Sequence, residues 1–377
     1  MKGKQGLVCM GLLLVLSSCH TGKQITASGL QRKDFQTEVN GQHTDLFTLS
    51  NKQGMEVCIT NYGARVVSIL VPDRNGKRED VVCGFSTITE YMEQRQNFGS
   101  TVGRYIGRIL NARFTLDGVE YKLVPNNGKS GHISHGGNPG FADRIWKVEQ
   151  ADTHRVRLSY LSPDGENGFP GNLKVTLVYS LGEDDNALDL TYEATTDAPT
   201  VLNLSHHSFF NISGNFTKSV EDQQLWVDAD RFTPYDVKKC VTGEYLPVAG
   251  TPLDFRMPHT IGECIDADHP QLKVVNGYDH TWELNTKGDD TRPAAWVYDP
   301  ASGRKMEIFT TEPGMQIYTG NGLKGKMTGK GGIAYPFRSA VCFETMHFQD
   351  SPNKPGFPST VLRPGEVFRS HTVYKFE

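Results

Sequence analysis

The stretch LKVTLVYSLGEDDNALDLTYEATT, residues 173–196, indicates the fold. It contains two arms in which apolar residues alternate with mostly polar ones, joined by the polar turn GEDDN. Side chains on a β-strand alternate between faces, so each arm has an apolar face and a more polar face. The apolar faces carry Leu173, Val175, Leu177 and Tyr179 on the first arm and Leu188, Leu190 and Tyr192 on the second. The pattern predicts two neighbouring antiparallel strands that cover a core with one face.

Similar strand signals extend in both directions from this stretch. MEVCIT, ARVVSILV and DVVCGF are short apolar runs upstream, and Asp117-Gly118 stands between two alternating arms, which is a strong hairpin signal. The chain closes on the strand-like VFRSHTVYKF, and STITEYMEQRQ has the pattern of a short helix. No break in composition, linker or internal repeat follows residue 43. We therefore expect residues 44–377 to form one all-β domain, a large antiparallel β-sandwich.

The charge balance and the absence of several motifs exclude some functions. The 377 residues include 39 basic and 43 acidic ones, a net charge of −4, and no basic runs, so we expect no nucleic-acid partner. GNGLKG, residues 320–325, matches a dinucleotide-binding pattern, but the Gly- and Pro-rich sequence after it cannot open the helix that such a site needs. The chain has no G-x-S-x-G or phosphate-loop motif, which removes the usual support for acyl and phosphoryl transfer.

The N-terminus is typical of an export signal. Two lysines precede an apolar run over residues 7–16 that is too short to span a bilayer. The run ends in Leu-Ser-Ser-Cys, which resembles the lipobox of bacterial lipoproteins. We therefore predict a signal peptide over residues 1–18, lipidation of Cys19, and, over residues 19–43, a polar tether and the start of the mature chain. The mature protein would be held at a bacterial membrane, in the periplasm or at the cell surface. An ordinary secretory peptide cut near the same place is the alternative.

The cysteines and histidines show neither a disulfide framework nor a metal site. Five cysteines follow Cys19, which is an odd number. Cys58, Cys83 and Cys342 lie in apolar runs, where a free thiol behaves as a small hydrophobe. No Cys or His pair has the spacing of metal ligands, so we predict no metal.

NLSHHSFFN, residues 203–211, carries two adjacent histidines. Because strand residues alternate, His207 shares a polar face with Asn203 and Ser205, whereas His206 points to the apolar side. Adjacent side chains diverge, so the two rings cannot readily meet at one ion. A histidine in a β-protein is more often structural than catalytic. A partner far along the chain favours chemistry at His207.

That partner is Glu344, which follows Val341, Cys342 and Phe343 at the end of an apolar strand. Desolvation in such a setting raises the pKa of a carboxyl group toward values useful for a general base. Acidic residues at strand ends are usually just solvated, so Glu344 alone is ambiguous. A histidine acid and a carboxylate base that flank one small molecule nevertheless form a coherent pair.

Several other stretches contain polar residues that would suit a polyhydroxylated ligand. Such a ligand needs many directed donors and acceptors and an aromatic wall. Each stretch alone is typical of a turn, a surface ion pair or a core aromatic residue, but together they favour a sugar cleft. The residues are Arg104, Arg108, His135, Asp254, Asp279, His280, Trp282 and Glu312.

Taken in order, these segments resemble the aldose 1-epimerase (galactose mutarotase) family. The matching segments are GRYIGRI, SHGG, NLSHHSFFN, GTPLDFR, GYDH, TTEPGMQIYTGN, FETMHFQDSPN and LRPGE, and they cover essentially the whole mature chain. An ordered series of this kind is more specific than any single motif. The resemblance implies a β-sandwich of the galactose mutarotase type with a cleft across one sheet. It also implies a free aldose such as glucose or galactose as substrate, and no metal or organic cofactor.

The resemblance further implies roles for individual residues. Glu344 matches the family's general base, His207 its general acid, and His135 a second active-site histidine that assists near the ring oxygen. Arg108 and Asp254 match residues that hold sugar hydroxyls.

The chain departs from the family at three positions. Gly107 stands where the family often has Asn, Met346 where it often has Gln, and Glu312 where some members have Gln. These differences bear on the preferred hexose more than on the reaction, so Gly107 and Glu312 are counted among the substrate-binding candidates.

The implied reaction interconverts α and β anomers. Glu344 would deprotonate the anomeric hydroxyl while His207 protonates the ring oxygen, so that the ring opens and recloses from the other face. Two alternatives stay open. A glycoside hydrolase would pair Glu344 with Asp254 or Glu312 around a glycosidic bond, and a non-catalytic surface lectin would use the same frame for binding alone. The sequence leaves the preferred hexose and the oligomeric state undetermined.

Overall fold

The computed structural model describes residues 24–377, and β-strands dominate this part of the chain. The predicted signal peptide and the predicted lipidation site at Cys19 lie outside the described residues. Strands β1 to β10 span Glu38–Val39, Gln42–His43, Leu46–Ser50, Glu56–Thr60, Arg65–Pro72, Arg78–Asp80, Ser100–Val102, Arg108–Ile109, Arg113–Leu116 and Val119–Lys122. Strands β11 to β20 span Ile133–Ser134, Lys147–Ala151, Arg155–Ser162, Leu173–Leu181, Ala187–Thr196, Thr200–Val201, Ser205–His207, Phe209–Phe210, Gln224–Val227 and Arg231–Thr233.

The remaining elements complete the described chain. Strands β21 to β29 span Leu246–Pro247, His259–Thr260, Asp279–Glu283, Ala295–Tyr298, Lys305–Thr310, Gly314–Tyr318, Val341–Met346, Val361–Leu362 and Phe368–Phe376. The α-helices are α1, Ile88–Gln94, and α2, Pro270–Val275. Short 3-10 helices span Arg32–Phe35, Leu110–Ala112, Gly128–Ser130, Phe141–Asp143, Glu166–Gly168, Lys330–Gly332 and Ser351–Asn353.

Three sheets carry the architecture. The largest has nine strands in the order β12-β13-β14-β15-β29-β25-β24-β19-β22, the second has six in the order β18-β27-β26-β23-β20-β21, and the third has four in the order β3-β4-β5-β6. Adjacent strands within these sheets are antiparallel. Two-stranded pairs, among them β7-β17 and β8-β11, lie outside these three sheets and contribute residues to the site described below.

The local predictions that led to this fold are confirmed. Strands β14 and β15 pair from Leu173↔Thr196 to Leu181↔Leu188, and buried residues alternate along β14 as its sequence predicts. Asp117 and Gly118 join β9 to β10 with φ angles of 51° and 80°, the positive values that a two-residue hairpin turn of type I′ requires. Helix α1 begins at a capping box in which Thr87 and Glu90 satisfy each other's backbone amides.

The main core lies between the nine-stranded sheet and the other two sheets. Apolar side chains from all three belong to one buried cluster, and burial of each contributes about 1.5–3 kcal/mol. Tyr374 on β29 donates a hydrogen bond of 3.0 Å to the carbonyl of Phe343 on β27, and Tyr179 on β14 donates one of 2.7 Å to the carbonyl of Ala64. These contacts tie the layers together and confirm the predicted antiparallel β-sandwich.

Packing begins within residues 19–43, the range for which we predicted a polar tether and the start of the mature chain. Leu30 and Phe35 are buried in a hydrophobic cluster with Tyr62 and Phe85. The backbone amide of Ala27 also donates a 2.7 Å hydrogen bond to the Glu56 carboxylate. Isolated apolar residues in a polar stretch give no periodic signal, so the sequence did not reveal this packing.

Two further facts concern the described residues alone. The five cysteines among residues 24–377, Cys58, Cys83, Cys240, Cys264 and Cys342, are free thiols. Neither α1 nor α2 is long and apolar enough to cross a bilayer.

Candidate active site

A cavity of about 270 Å³ opens at the six-stranded sheet, beside the pairs β7-β17 and β8-β11. Ligand pockets usually measure roughly 300–1,000 Å³, so this one suits a single small molecule. Six of the candidate residues named from the sequence line it: Gly107, Arg108, His135, His207, Asp279 and Glu344. They come from five separate regions of the chain, which the folded sheets bring together.

Strand β27 presents Glu344 to the cavity from the interior of the six-stranded sheet. The strand lies between β18 and β26, and Glu344 is paired in register with Gln316. Alternation along β27 places Phe343 in the core between the sheets, whereas Glu344 and Met346 line the cavity. The apolar run before Glu344 therefore produces the desolvated carboxyl group that the sequence predicted.

Strand β17 presents His207 to the same cavity. His207 is paired in register with Ser100 of β7, and its Nε2 lies 3.3 Å from Oε1 of Glu344. The ring stacks on Phe209 with the ring centres 5.1 Å apart. Both His207 and Glu344 are about 5% exposed, so the contact between this acid and this base is buried.

Burial shifts both partners toward their neutral forms. Desolvation raises the pKa of Glu344 well above its usual range, the nearby Asp279 carboxylate raises it further, and the Arg108 guanidinium opposes the shift. Desolvation also lowers the pKa of His207 to about 4. With a neutral carboxyl and a neutral imidazole, the pair holds one proton that either partner can carry.

Cys342, two residues before Glu344 on β27, also approaches the His207 ring. Its Sγ is 3.7 Å from Nδ1 of His207, and burial raises the pKa of the thiol, so the S–H stays protonated. A neutral Glu344 carboxyl donates to Nε2, which leaves the ring proton on Nδ1, where it faces the sulfur. The contact therefore supports the tautomer whose Nε2 can take the proton of Glu344.

Cys342, His207 and Glu344 are also the residues that could hold a metal ion. One ligand atom from each lies within 4.8 Å of the others. Cys342 approaches Nδ1, however, whereas Glu344 approaches Nε2. Each of these two contacts is therefore explained by a hydrogen bond at a separate ring nitrogen.

His135 stands beside His207 at the wall of the cavity. The two rings meet edge to face with centres 5.4 Å apart, and the His135 backbone amide donates a 2.9 Å hydrogen bond to the carbonyl of Gly107. Desolvation lowers the pKa of His135 to about 3, with smaller contributions from His207 and Arg108. Its Nδ1 is buried and has no hydrogen-bond partner among the described residues.

The glycine after His135 has a structural reason. A Cβ on Gly136 would lie 1.9 Å from the carbonyl oxygen of Gly103, which no side chain can tolerate. The SHGG turn can therefore approach the GRYIGRI segment only with glycine at this position. The close approach holds His135 against Gly107 and Arg108.

The structure does not bring Asp254 or Glu312 to this cavity. The Asp254 carboxylate forms two hydrogen bonds of 2.8 Å with Arg256, two residues further on, and sits at the protein surface. Glu312 is buried and accepts a 2.7 Å hydrogen bond from Nδ1 of His347. Each carboxylate is satisfied by a local partner, which spacing along the chain could not show.

Asp279 takes the place that we expected for Asp254. It begins β23 and lines the cavity, and Nε2 of Gln316 donates a 2.6 Å hydrogen bond to its Oδ1. Desolvation raises the pKa of Asp279, and Arg108 opposes this shift. The sequence feature that indicated Asp279 was its position in GYDHTW at the start of a strand. The next residue, His280, points to the opposite face and is buried.

Further polar residues of the wall escaped the sequence reasoning. Asn97, Gln316, Tyr318 and Gln349 all line the cavity. Asn97 lies in a segment without a recognisable motif, whereas Gln316, Tyr318 and Gln349 lie in TTEPGMQIYTGN and FETMHFQDSPN, where other residues were singled out. Only the assembled sheet shows that all four face the cavity.

The other polar candidates support the frame. Arg104 is buried and donates hydrogen bonds to the carbonyls of Pro170 and Gly171 and to Ser162. His280 and Trp282 are buried, and the Trp282 indole donates to the carbonyl of Leu253 at 3.0 Å. None of the three lines the cavity.

Comparisons with known proteins show what the whole chain is similar to. The family model for aldose 1-epimerase matches residues 45–375. The galactose mutarotase of Sus scrofa is 38% identical over 330 residues, 88% of this chain and 93% of its own. The aldose 1-epimerase of Escherichia coli K12 is 36% identical over 339 residues, 89% of this chain and 96% of its own. Among solved structures, an aldose epimerase homologue from C. elegans superposes with a TM-score of 0.81 at 30% identity, covering 89% of this chain and 99% of its own.

Proposed function

Because this chain belongs to the aldose 1-epimerase family and is an isomerase that interconverts the α and β anomers of aldoses, we propose that Glu344 and His207 carry out its two proton transfers. The observation that supports this assignment is the 3.3 Å contact between Nε2 of His207 and Oε1 of Glu344 in the cavity. The anomeric oxygen O1 and the ring oxygen O5 of an aldose are both bonded to C1. An acid and a base this close together can therefore serve the two oxygens at once.

The reactive form of the pair is a carboxylate beside an imidazolium. Transfer of the shared proton from Glu344 to His207 produces it without exchange with solvent. Glu344 then removes the proton from the O1 hydroxyl while His207 delivers its proton to O5. The C1–O5 bond breaks, the C1–O1 bond becomes a carbonyl, and the open-chain aldehyde forms.

Ring closure reverses both transfers. Rotation about C1–C2 turns the other face of the aldehyde toward the C5 hydroxyl, which attacks C1. His207 takes the hydroxyl proton, and Glu344 returns a proton to O1. Both residues end in the states in which they began, so the cycle consumes nothing. General acid and base assistance contributes about 10²- to 10⁴-fold each.

Neighbouring residues would bind and orient the sugar. His135 lines the cavity beside His207 and can hydrogen-bond near O5. Arg108 and Asp279 also line the cavity. The guanidinium can donate hydrogen bonds to sugar hydroxyls, and the carboxylate can accept them. Binding through several hydroxyls would hold C1 against the pair.

The substrates that we propose are free aldohexoses such as glucose and galactose. The relatives in pig and cattle are named galactose mutarotases, which supports galactose as one of them. Polarimetry on freshly dissolved α-D-galactose and α-D-glucose with purified protein tests the proposal. We expect faster approach to the equilibrium rotation with at least one sugar. No acceleration with either would contradict it.

The hydrolase alternative loses the two carboxylates that it paired with Glu344. It required Asp254 or Glu312 beside Glu344, and neither lines the cavity. Release of reducing sugar from an oligosaccharide would be the result that restores it.

We also propose that the protein is exported and anchored to a bacterial membrane through a lipid on Cys19. The short apolar run that ends in Leu-Ser-Ser-Cys supports this localisation. Fractionation of cells that express the wild type or Cys19→Ala is the test. We expect the wild type with membranes and the variant in the soluble fraction, whereas an ordinary secretory peptide would leave both soluble.

A further inference from the structure

Gly107 and Gln349 occupy one space in the wall of the cavity. A Cβ built on Gly107 would lie 2.5 Å from Cγ of Gln349 and 3.1 Å from its Cδ. The Gln349 side chain therefore fills the volume that any side chain at position 107 would need. Gly107 also has a φ of +73°, a conformation that favours glycine.

The amide of Gln349 is held in one orientation. Its Nε2 donates to the Tyr235 hydroxyl at 2.7 Å and to Oε1 of Gln316 at 3.3 Å. Its Oε1 accepts a hydrogen bond of 3.3 Å from the backbone amide of Arg108. A flipped amide would set its NH₂ group against that N–H, so the contact with Arg108 assigns the orientation.

One acceptor position of this amide stays open. A carbonyl oxygen has two lone pairs, and the long hydrogen bond from Arg108 uses only one. Gln349 is buried, about 4% exposed, and still lines the cavity. A buried oxygen with spare acceptor capacity at a cavity wall is suited to a hydroxyl donor.

A row of hydrogen bonds joins Gln349 to Asp279. Gln316 accepts from the Thr281 hydroxyl at 2.5 Å through Oε1 and donates to Asp279 at 2.6 Å through Nε2. Gln349 donates to the same Gln316 oxygen. The row gives the wall two positioned acceptors, Oε1 of Gln349 and the Asp279 carboxylate.

We propose that Gln349 is a specificity-determining residue, that its Oε1 accepts a hydrogen bond from one non-anomeric hydroxyl of the aldose, and that Gly107 is required to make room for it. This inference rests on the proposed function, in which Glu344 contacts the anomeric hydroxyl and the other hydroxyls remain for other residues of the wall. Gly107 has no side chain, and the amide of Gln349, which is distant in the sequence, fills the space that such a side chain would occupy. The hexose preference then depends on the pair rather than on Gly107 alone.

A double-change cycle, which combines substitution of Gln349 with removal of single sugar hydroxyls, tests the contact. Michaelis constants are measured by polarimetry for the preferred hexose and its 2-, 3-, 4- and 6-deoxy analogues with the wild type, Gln349→Ala and the volume-conserving Gln349→Met. Loss of one hydrogen bond should raise KM roughly two- to twelve-fold. We expect the wild type to discriminate against one deoxy sugar by this factor and both variants to lose that discrimination while kcat changes less.

The matched control is Gln150→Ala, an exposed glutamine on β12 whose Nε2 binds Asp152. It should show the wild-type pattern with every sugar. If Gln349→Ala and Gln349→Met weaken all sugars equally, deoxy analogues included, Gln349 contacts no hydroxyl and the proposal is overturned.

A second cycle tests whether Gln349 and Gly107 share one space. Melting temperatures are compared for Gly107→Ala, Gln349→Ala and the double variant. The positive φ at position 107 strains alanine equally whether residue 349 is Gln or Ala, so this strain cancels when the two losses are compared. We expect Gly107→Ala to lower the melting temperature less when Gln349 is already alanine. Equal losses in the two backgrounds would show that the side chains do not compete.

Binding of an unreactive ligand separates the two proposals. A 1,5-anhydrohexitol lacks the anomeric hydroxyl and cannot open, so calorimetry reports its binding alone. If no aldose is epimerised but Gln349→Ala weakens this binding, the proposed proton transfers fail and the hydroxyl contact stands. If aldoses are epimerised and Gln349→Ala shows no hydroxyl preference, only the contact fails. Absence of both epimerisation and binding overturns both.

Discussion

His206 and His207 are adjacent in the sequence and point to opposite sides of β17. Nε2 of His206 lies 2.6 Å from the Ser208 hydroxyl, and its ring packs between Tyr179 and Tyr374 in the interior of the sandwich. His207 instead meets Glu344 in the cavity. The two residues have the same chemistry but different surroundings, so each is a control for the other.

We expect His207→Asn to lower kcat by at least about 10²-fold with little change in melting temperature, since asparagine retains some hydrogen bonding but cannot deliver the proton. His206→Asn should retain most turnover and lower the melting temperature, because it disturbs a packed interior. Steady-state polarimetry and thermal unfolding of both variants decide the matter. A well-folded but inactive His206→Asn together with a near-normal His207→Asn would reverse the assignment.

Glu344→Gln should affect activity and stability in opposite directions. It removes the base and should lower kcat by at least about 10²-fold. The pKa of Glu344 is raised in the folded state, so the stability linked to its proton is present below the unfolded pKa of about 4.3 and is lost as pH rises through the folded pKa.

Glutamine cannot ionise, so the variant escapes that loss. Urea unfolding between pH 5 and pH 9 should show the variant gaining stability relative to the wild type as pH rises. If the difference in free energy of unfolding between the variant and the wild type does not change with pH, the carboxyl group is not desolvated in the folded protein.

The rate should follow a bell-shaped dependence on pH. The active pair carries one proton, so a second proton produces the acidic limb and loss of the shared proton produces the alkaline limb. Burial lowers the pKa of His207 to about 4 and raises that of Glu344, which moves the limbs apart. We expect the acidic limb of kcat/KM to lie well below 6.5, the usual pKa of histidine. An acidic limb at or above 6.5 would contradict the buried, neutral ring.

Asp279 and Asp254 give a paired test of the correction made by the structure. Asp279→Asn preserves the acceptor for Gln316 but removes the charge that faces the sugar, and a hydrogen bond to a charged group contributes about 1.5–3 kcal/mol. We expect KM to rise by about tenfold or more. Asp254→Asn should leave KM within about twofold, because this carboxylate binds Arg256 away from the cavity. A larger effect at Asp254 than at Asp279 would favour the original assignment.

Removal of metal ions should leave the rate unchanged. The prediction of a metal-free enzyme follows from the family resemblance, whereas His207, Cys342 and Glu344 lie close enough together to make the question testable. Protein dialysed against a chelator is assayed beside untreated protein, with metal content measured on both. Loss of activity that one divalent ion restores would overturn the prediction.

The sequence determined the local structure and the orientation of side chains on individual strands. Alternating residues in β14 and β15, the Asp117-Gly118 turn and the capping box at Thr87 depend on backbone geometry over a few residues. The same twofold alternation placed His207 and His206 on opposite faces. These features are local, so the order of residue types is enough to predict them.

Only the tertiary structure decided which polar residues share a cavity. Asp254 and Asp279 both stand in polar motifs, but a local partner, Arg256, holds the first at the surface while β23 carries the second into the site. Gln349 meets Gly107 although 241 residues separate its amide from Arg108 in the chain. Such contacts depend on how the sheets pack and how loops cross their ends, and no short-range pattern records either.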